Sequence, residues 1–425
     1  MRQAQRKMSE RKARRKRMAL AVILLGHRVK SPVTVIFLDG ALSVSILFVN
    51  RYICSSGSRP AHKSRFFYVI GNIVPYNVKL SEGSHCGGMD ACRGCIFCRE
   101  ALGGKQAATE MRAVTPPYSM HIMELGGMAM SIFKGAGVAI VTPMKENEDV
   151  DYEKLEELID WQIAQGTDCI VITGTTGESS TLTTEEHTKV IEAAVRFTGH
   201  RVPVVAGTGS NCTREAIHLS QEAERVGADG LLAVTPYYNK ATQGGLIRYY
   251  TELAESVKLP IIMYNVPGRT GCNILPETAA ELFHHVENII GIKEATGNVA
   301  QAVRTMYLTD GKLDLYSGED GIVVPLMAIG AVGVISVWSN IAPKDVHEMC
   351  AAFAAGDVAR AMQMQLAAQP LIDALFCEVN PIPVKKALNL MGKKVGALRS
   401  PLTEMTEENA AKLAQAMRDY GIKLA

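Results

Sequence analysis

From residue 137 to residue 340 the chain repeats one unit eight times: an apolar run of strand length, then a helical pattern. The runs are 138–144, 168–174, 202–209, 230–236, 259–267, 289–296, 313–318 and 332–340. The intervening segments 151–166, 184–198, 213–226, 244–257, 276–286, 298–308 and 320–329 carry helical signals. In 151–166, for example, Leu155, Leu158, Ile159 and Ile163 recur at three- and four-residue spacing, acids fill the first turn and Gly166 stops the pattern. Alternation of this kind means parallel strands joined by crossover helices. Eight units in a row predict a closed (β/α)8 (TIM) barrel over 130–342 rather than an open doubly wound sheet. Residues 343–425 add further helical patterns, which read as a barrel-closing helix and a C-terminal helical domain.

The first 129 residues do not share this design. Residues 1–130 hold about 20 Lys and Arg against about 7 Asp and Glu, whereas the remainder holds about 25 against about 36, so the small overall charge of +2 hides two opposite halves. The basic start precedes apolar runs, as in a targeting or anchor signal. In the longer run, 31–49, Asp39 and Gly40 fall near the middle, where a charge in a bilayer costs a few kcal/mol, so no membrane span is expected. Cys86, Cys92, Cys95 and Cys98, with His85 beside them, form overlapping C-x-x-C pairs that match no common metal spacing, and they read as incidental. Met130 opens "MSIFKGAGVAIVTPM" and looks like a natural start, which makes the upstream stretch an over-extended reading of the coding sequence. Cys169, Cys212, Cys272, Cys350 and Cys377 stand singly, as reduced thiols of a cytoplasmic protein do. No G-x-G-x-x-G follows the first strand, so a dinucleotide site is not expected. Nothing points to a nucleic-acid partner.

In a barrel of this kind the chemistry lies beyond the C-terminal ends of the strands. There the second run ends in "GTTGESS", the fourth in "TPYYN", the fifth in "YNVPGRT", the sixth in "IKEATGN" and the seventh in "YSGED". Lys293 closes the apolar run Ile289–Ile292. An amine among apolar residues loses solvation of its charged form, which favours the neutral nucleophile, and such amines form Schiff bases with carbonyl carbons. The plainer role is an ion pair with a carboxylate. Glu294 is a poor partner, because adjacent residues of a strand face opposite ways. Tyr264 ends the neighbouring run, where a phenol can pass protons if nearby hydroxyls relay them, and Thr175, Thr176 and Tyr238 are the candidates. Arg269, after a Pro-Gly turn, suits a substrate carboxylate. The amides of the 174–179 loop suit a second.

Taken together, "GTTGESSTL", "AGTGSN", "TPYYNK", "YNVPGRTGCN", "GIKEATGN", "SGED" and "GVISV" resemble the dihydrodipicolinate synthase family over about residues 130–425. The resemblance implies condensation of pyruvate with L-aspartate 4-semialdehyde, the committed step of lysine biosynthesis, by a homotetramer without metal or organic cofactor. It makes Lys293 the Schiff-base lysine and Tyr264 the general acid/base. Thr175 and Tyr238 become the rest of a proton relay, Tyr238 reaching in from a neighbouring subunit. Thr176, Gly318 and the backbone of Ile335 become pyruvate contacts, and Arg269 the binder of the aldehyde's carboxylate. Ser180, His187, Asn211, Glu215 and Tyr237 fall where some members hold lysine as a feedback inhibitor, and Thr184 departs from the His or Trp found there in some inhibited members. Alternatives are another pyruvate-dependent aldolase on the same barrel, such as a sialic acid lyase or a keto-deoxy sugar acid aldolase, which generally lacks the arginine of "GRT", or a barrel that binds a keto acid without turnover.

Overall fold

The computed structural model describes residues 131–425 and, before them, only the backbone of a short antiparallel pair, Leu47–Val49 with Phe67–Val69. The apolar run around Asp39, the cysteines Cys86, Cys92, Cys95 and Cys98, and Met130 lie outside the described residues.

Eight parallel strands close into a barrel in sequence order: β1 (Gly135–Ala139), β2 (Cys169–Ile172), β3 (Val204–Gly207), β4 (Gly230–Val234), β5 (Ile261–Asn265), β6 (Ile289–Glu294), β7 (Asp314–Ser317) and β8 (Gly333–Ser336). The ring closes where β8 pairs with β1, Ile335 opposite Gly137. Outside lie α1 (Tyr152–Ala164), α2 (Thr184–Thr198), α3 (Thr213–Arg225), α4 (Gln243–Glu255), α5 (Pro276–His285), α6 (Val299–Leu308), the short α7 (Val323–Met327) and α8 (Pro343–Ala354). Beyond the barrel come α9 (Val358–Leu375), α10 (Ile382–Leu390) and α11 (Glu407–Tyr420). Among the described residues no helix is long and apolar enough to cross a membrane.

Helix starts follow the sequence. Asp151 caps α1 through Lys154 N, and Thr183 and Glu186 form a reciprocal capping box on α2. The strands divide the core in two. Ile170 and Ile172 of β2 face the helices, whereas Cys169 and Val171 face inward with Val205, Leu232, Ile262, Tyr264, Tyr316 and Ile335. The floor of the barrel is sealed by Phe133 stacked on Tyr316 at 4.6 Å, with the Tyr316 hydroxyl donating to the Phe133 carbonyl at 2.8 Å. Gly137 leaves room for this plug, since a Cβ there would lie 2.7 Å from the Phe133 ring.

Each strand is shorter than its apolar run, and the two that meet where the ring closes show why. β1 starts three residues before the predicted 138–144 and ends at Ala139, and β8 covers only four residues of 332–340. Both ends have one cause. After Ser336 the chain turns into a 3-10 turn at Trp338–Asn340, and the Asn340 amide takes over from the missing strand. It accepts from Val141 N at 3.1 Å and donates to Ala139 O at 2.8 Å. Buried apolar residues there are held by a side chain, not by a ladder. The pattern 320–329 likewise resolves into a 3-10 turn at 320–322 followed by α7.

Candidate active site

Lys293 and Tyr264 are register partners on β6 and β5. The register contains an irregularity that matters. Ile261 pairs with Ile289 but Ile262 pairs with Gly291, so Ile290 is an extra residue on β6. Ile289 and Ile292 both pack in the outer layer, three residues apart. Without the extra residue Lys293 would share the outer face with Ile289; with it, Lys293 turns inward. Lys293 is 5% exposed, and its Nζ lies 4.3 Å from the centre of the Tyr264 ring. Among the described residues no carboxylate forms an ion pair with it. Glu294 faces the other way as expected, accepting from Thr296 N at 2.8 Å and Asn265 Nδ2 at 3.4 Å. Burial raises its carboxyl above the ordinary value, partly offset by these donors.

A second carboxylate was not singled out by sequence. Asp320, just past β7, accepts from Val337 N at 3.0 Å and Trp338 N at 2.8 Å through one oxygen. Its other oxygen is buried with no hydrogen-bond partner among the described residues. Burial pushes its carboxyl up, while hydrogen bonds and the positive charge of Lys293 pull it down. Gly318 lets β6 and β7 end close together: its amide donates to Glu294 O at 2.7 Å, and a Cβ would lie 2.6 Å from that of Ala295. Ile335 is an inward residue of β8, 1% exposed.

Thr175 and Thr176 lie on the tight loop after β2. The loop is fixed by Gly177 N donating to Gly174 O, Glu178 N donating to Thr175 O, and Thr142 Oγ1 donating to Gly177 O at 2.7 Å. Thr173 and Glu178 both take left-handed backbone angles, φ 51 and 54, a strained state that persists only where neighbours enforce it. Glu178 is enforced by an ion pair of unusual depth. Its Oε1 lies 2.7 Å from Lys385 Nζ, with the two side chains 0% and 1% exposed, and its Oε2 accepts from Arg399 N at 3.0 Å. Lys385 also donates to Ala397 O, and burial pulls its ammonium below the usual value against the pull of Glu178. Thr176 is 2% exposed, and its Oγ1 accepts from Asn380 Nδ2 at 2.9 Å.

Arg269 stands on a one-turn helix, Pro267–Thr270, and its Nη2 donates to Asn380 O at 3.2 Å. Tyr238, on the loop after β4, is 89% exposed with φ 73, and its amide donates to Thr270 O. Among the described residues no hydrogen bond joins Tyr264, Thr175 and Tyr238, so one chain does not by itself assemble the expected relay.

Of the residues expected to hold an inhibitor, His187, Asn211 and Glu215 lie on or against the loop after β3. His187 Nε2 meets Gly207 O at 2.8 Å, its Nδ1 is buried with no partner among the described residues, and burial lowers the imidazole while the Gly207 bond and Glu215 oppose. Ser210 Oγ donates to Glu215, and Asn211 O accepts from Asn239 Nδ2. Tyr237 is 37% exposed and Ser180 is exposed on the β2–α2 connection.

The profile of the Dihydrodipicolinate synthetase family matches residues 132–420. The chain is 60% identical over 293 residues to a 4-hydroxy-tetrahydrodipicolinate synthase of Lachnoclostridium phytofermentans, covering 69% of this chain and 100% of that one. A crystal structure of the chloride-inhibited dihydrodipicolinate synthase from Acinetobacter baumannii, complexed with pyruvate, superposes with a TM-score of 0.67 at 49% identity over 68% of this chain and 99% of that one. A dihydrodipicolinate synthase structure from Cyanidioschyzon merolae with lysine bound gives 0.68 at 38% identity, over 69% and 100%.

Proposed function

The chain belongs to the dihydrodipicolinate synthetase family, and on that premise we propose that Lys293 binds pyruvate covalently and passes it to an aldehyde. The reaction is the condensation of pyruvate with L-aspartate 4-semialdehyde to 4-hydroxy-tetrahydrodipicolinate, the committed step of lysine biosynthesis. The observation that carries the assignment is an amine, buried inside the barrel mouth, free of any described carboxylate and beside a tyrosine ring. Nζ adds to the pyruvate ketone, water leaves, and the iminium draws electrons from the methyl carbon. Tyr264 takes a methyl proton to give the enamine, with Thr175 and Tyr238 of a neighbouring copy as relay. The enamine carbon attacks the aldehyde, whose oxygen takes the proton back. The substrate amine then attacks the iminium carbon, Lys293 leaves as the free amine, and the ring closes.

Thr176, Gly318 and the backbone of Ile335 hold the pyruvyl group, and Arg269 holds the carboxylate of the aldehyde. Lysine acts as an inhibitor at Ser180, His187, Asn211, Glu215 and Tyr237; the Nδ1 of His187, without a partner among the described residues, and the nearby Glu215 carboxylate support this reading. The enzyme works as a homotetramer in the cytoplasm. The exposure of Tyr238 supports assembly, and the five free cysteines among the described residues support a reducing compartment. The test is borohydride reduction in the presence of pyruvate, followed by peptide mass mapping. The expected result is one pyruvyl adduct, on Lys293, in a protein that turns over both substrates. No adduct, or an adduct on another lysine, overturns the assignment.

A further inference from the structure

Beneath Lys293 the barrel interior is filled by two stacked aromatic side chains. The next inward residue below the lysine on β6 is Gly291, register partner of the inward Ile262. A Cβ at Gly291 would lie 2.7 Å from Asp314 O, so β6 carries no side chain under its lysine. The space goes to Tyr316, the register partner of Lys293 on β7, whose ring passes 3.5 Å from that Cβ position. From there the side chain runs down to the floor, where its hydroxyl donates to Phe133 O and its ring stacks on that of Phe133. Its one polar side-chain atom is thus turned away from the amine. Tyr316 is fully buried and Phe133 is 5% exposed. Around them Cys169, Val171, Val205, Leu232 and Ile262 offer a water no strong partner. Sealing the floor accounts for Phe133. It does not account for a ring that reaches from the floor to the level of the lysine.

We propose that Tyr316 is a positioning residue for the nucleophile: its ring, propped from below by Phe133, bars water from the underside of Lys293. The inference rests on the reading above, in which Lys293 attacks the pyruvate ketone. An ammonium needs water around it, and the neutral amine is the form that attacks, so a dry underside favours the reactive form. It also confines water to the mouth, where the water lost in forming the iminium leaves. Besides Tyr316, the titratable groups around the lysine are Tyr264 of β5, Asp320 past β7 and, deeper, Cys169 of β2. All three stay in place when the floor is opened, so a change in pH dependence reports the water.

The test is the pH dependence of pyruvate capture, read by cyanoborohydride reduction and intact mass from about pH 5 to 9. It is run on the full chain and on Tyr316→Ser, Tyr316→Phe and Phe133→Ala. Serine removes the ring and offers water a partner, phenylalanine keeps the ring, and alanine opens the floor from outside. The acidic limb of the capture rate should move up by about one pH unit in Tyr316→Ser, and in the same direction in Phe133→Ala. That is a roughly tenfold loss at the acidic end which vanishes at the alkaline end. Tyr316→Phe should move the limb least. A limb that stays put or moves down in Tyr316→Ser and Phe133→Ala, or a loss equal at every pH, makes the two rings a packing element and overturns the proposal. An equal shift in Tyr316→Phe also overturns it, because the hydroxyl and not the ring is then responsible. Where Tyr316→Ser does not fold, Phe133→Ala decides by the same criterion. Failure of the unaltered protein to capture pyruvate is a separate outcome, which removes the functional reading and this inference with it.

Discussion

Replacing Lys385 by methionine tests whether the site loop is held from behind by charge. The substitution roughly preserves volume, so the effect comes from the ammonium rather than from a cavity. It removes the 2.7 Å contact to Glu178 and leaves that carboxylate at zero exposure with one remaining described donor, Arg399 N. Breaking a buried pair on one side costs about 3–5 kcal/mol, because the surviving charge stays desolvated. Glu178→Gln strands the ammonium beside Ala397 O and falls in the same range. The double variant removes both charges, and the two sites then couple favourably by about 2 kcal/mol. Urea unfolding followed by the fluorescence of Trp161 and Trp338 gives all four stabilities at a common slope. The strained Glu178 backbone lies two residues from Thr176, so KM for pyruvate should rise in Lys385→Met even where the protein remains folded. A loss below about 1 kcal/mol in Lys385→Met, or a double variant no better than the sum of the singles, refutes the reasoning.

Tyr264→Phe keeps the ring beside Lys293 but removes the proton carrier, so kcat falls about 10²–10⁴-fold while pyruvate is still trapped by borohydride; unchanged turnover removes Tyr264 from the mechanism. Arg399 bonds Glu186 through both oxygens and holds its carboxyl down at about 2, below the ordinary 4.5. A depressed carboxyl stabilises the fold above its unfolded pKa and loses that contribution as pH falls through the folded one. Arg399→Ala should therefore be less stable than the parent at pH 6, with the gap shrinking between pH 4.5 and 2; a gap independent of pH in thermal melts counts against the ion pair. Gly333→Ala should destabilise the barrel by about 3 kcal/mol in calorimetry, since a Cβ there would lie 2.0 Å from Gly135 O across the closing strands, and a neutral result contradicts that registration.

The barrel was legible because its strands are buried on both faces and read as plain apolar runs between amphipathic helices. The same property hid the strand ends. Nothing in "VAIVTPM" distinguishes Ala139, which pairs, from Val141, whose partner is a side chain 199 residues away. Lys293 was identified from its place at the end of a run, but its inward direction depends on the extra residue at Ile290. Strict alternation counted from Ile289 gives the opposite face. Asn380, Lys385 and Asp320 went unnoticed for a different reason. Their roles come from contacts far apart in sequence, and "NPIPVKK" reads locally as a loop opening a helix. The expected relay is a set of residue types; that Tyr238 lies in solvent in one chain follows only from the fold.

The bonds of Asn380 to Thr176 and Arg269, and of Lys385 to Glu178, have a consequence for biogenesis. Asn380 and Lys385 follow all eight strands in the chain. A polypeptide emerging from the ribosome thus completes its barrel while Thr176 still lacks the amide that orients it and Glu178 lacks its counter-ion. We expect such half-made chains to carry Lys293, the nucleophile of the proposed reaction, without a finished receptacle, so that competence to capture keto acid arrives only with the last stretch of synthesis.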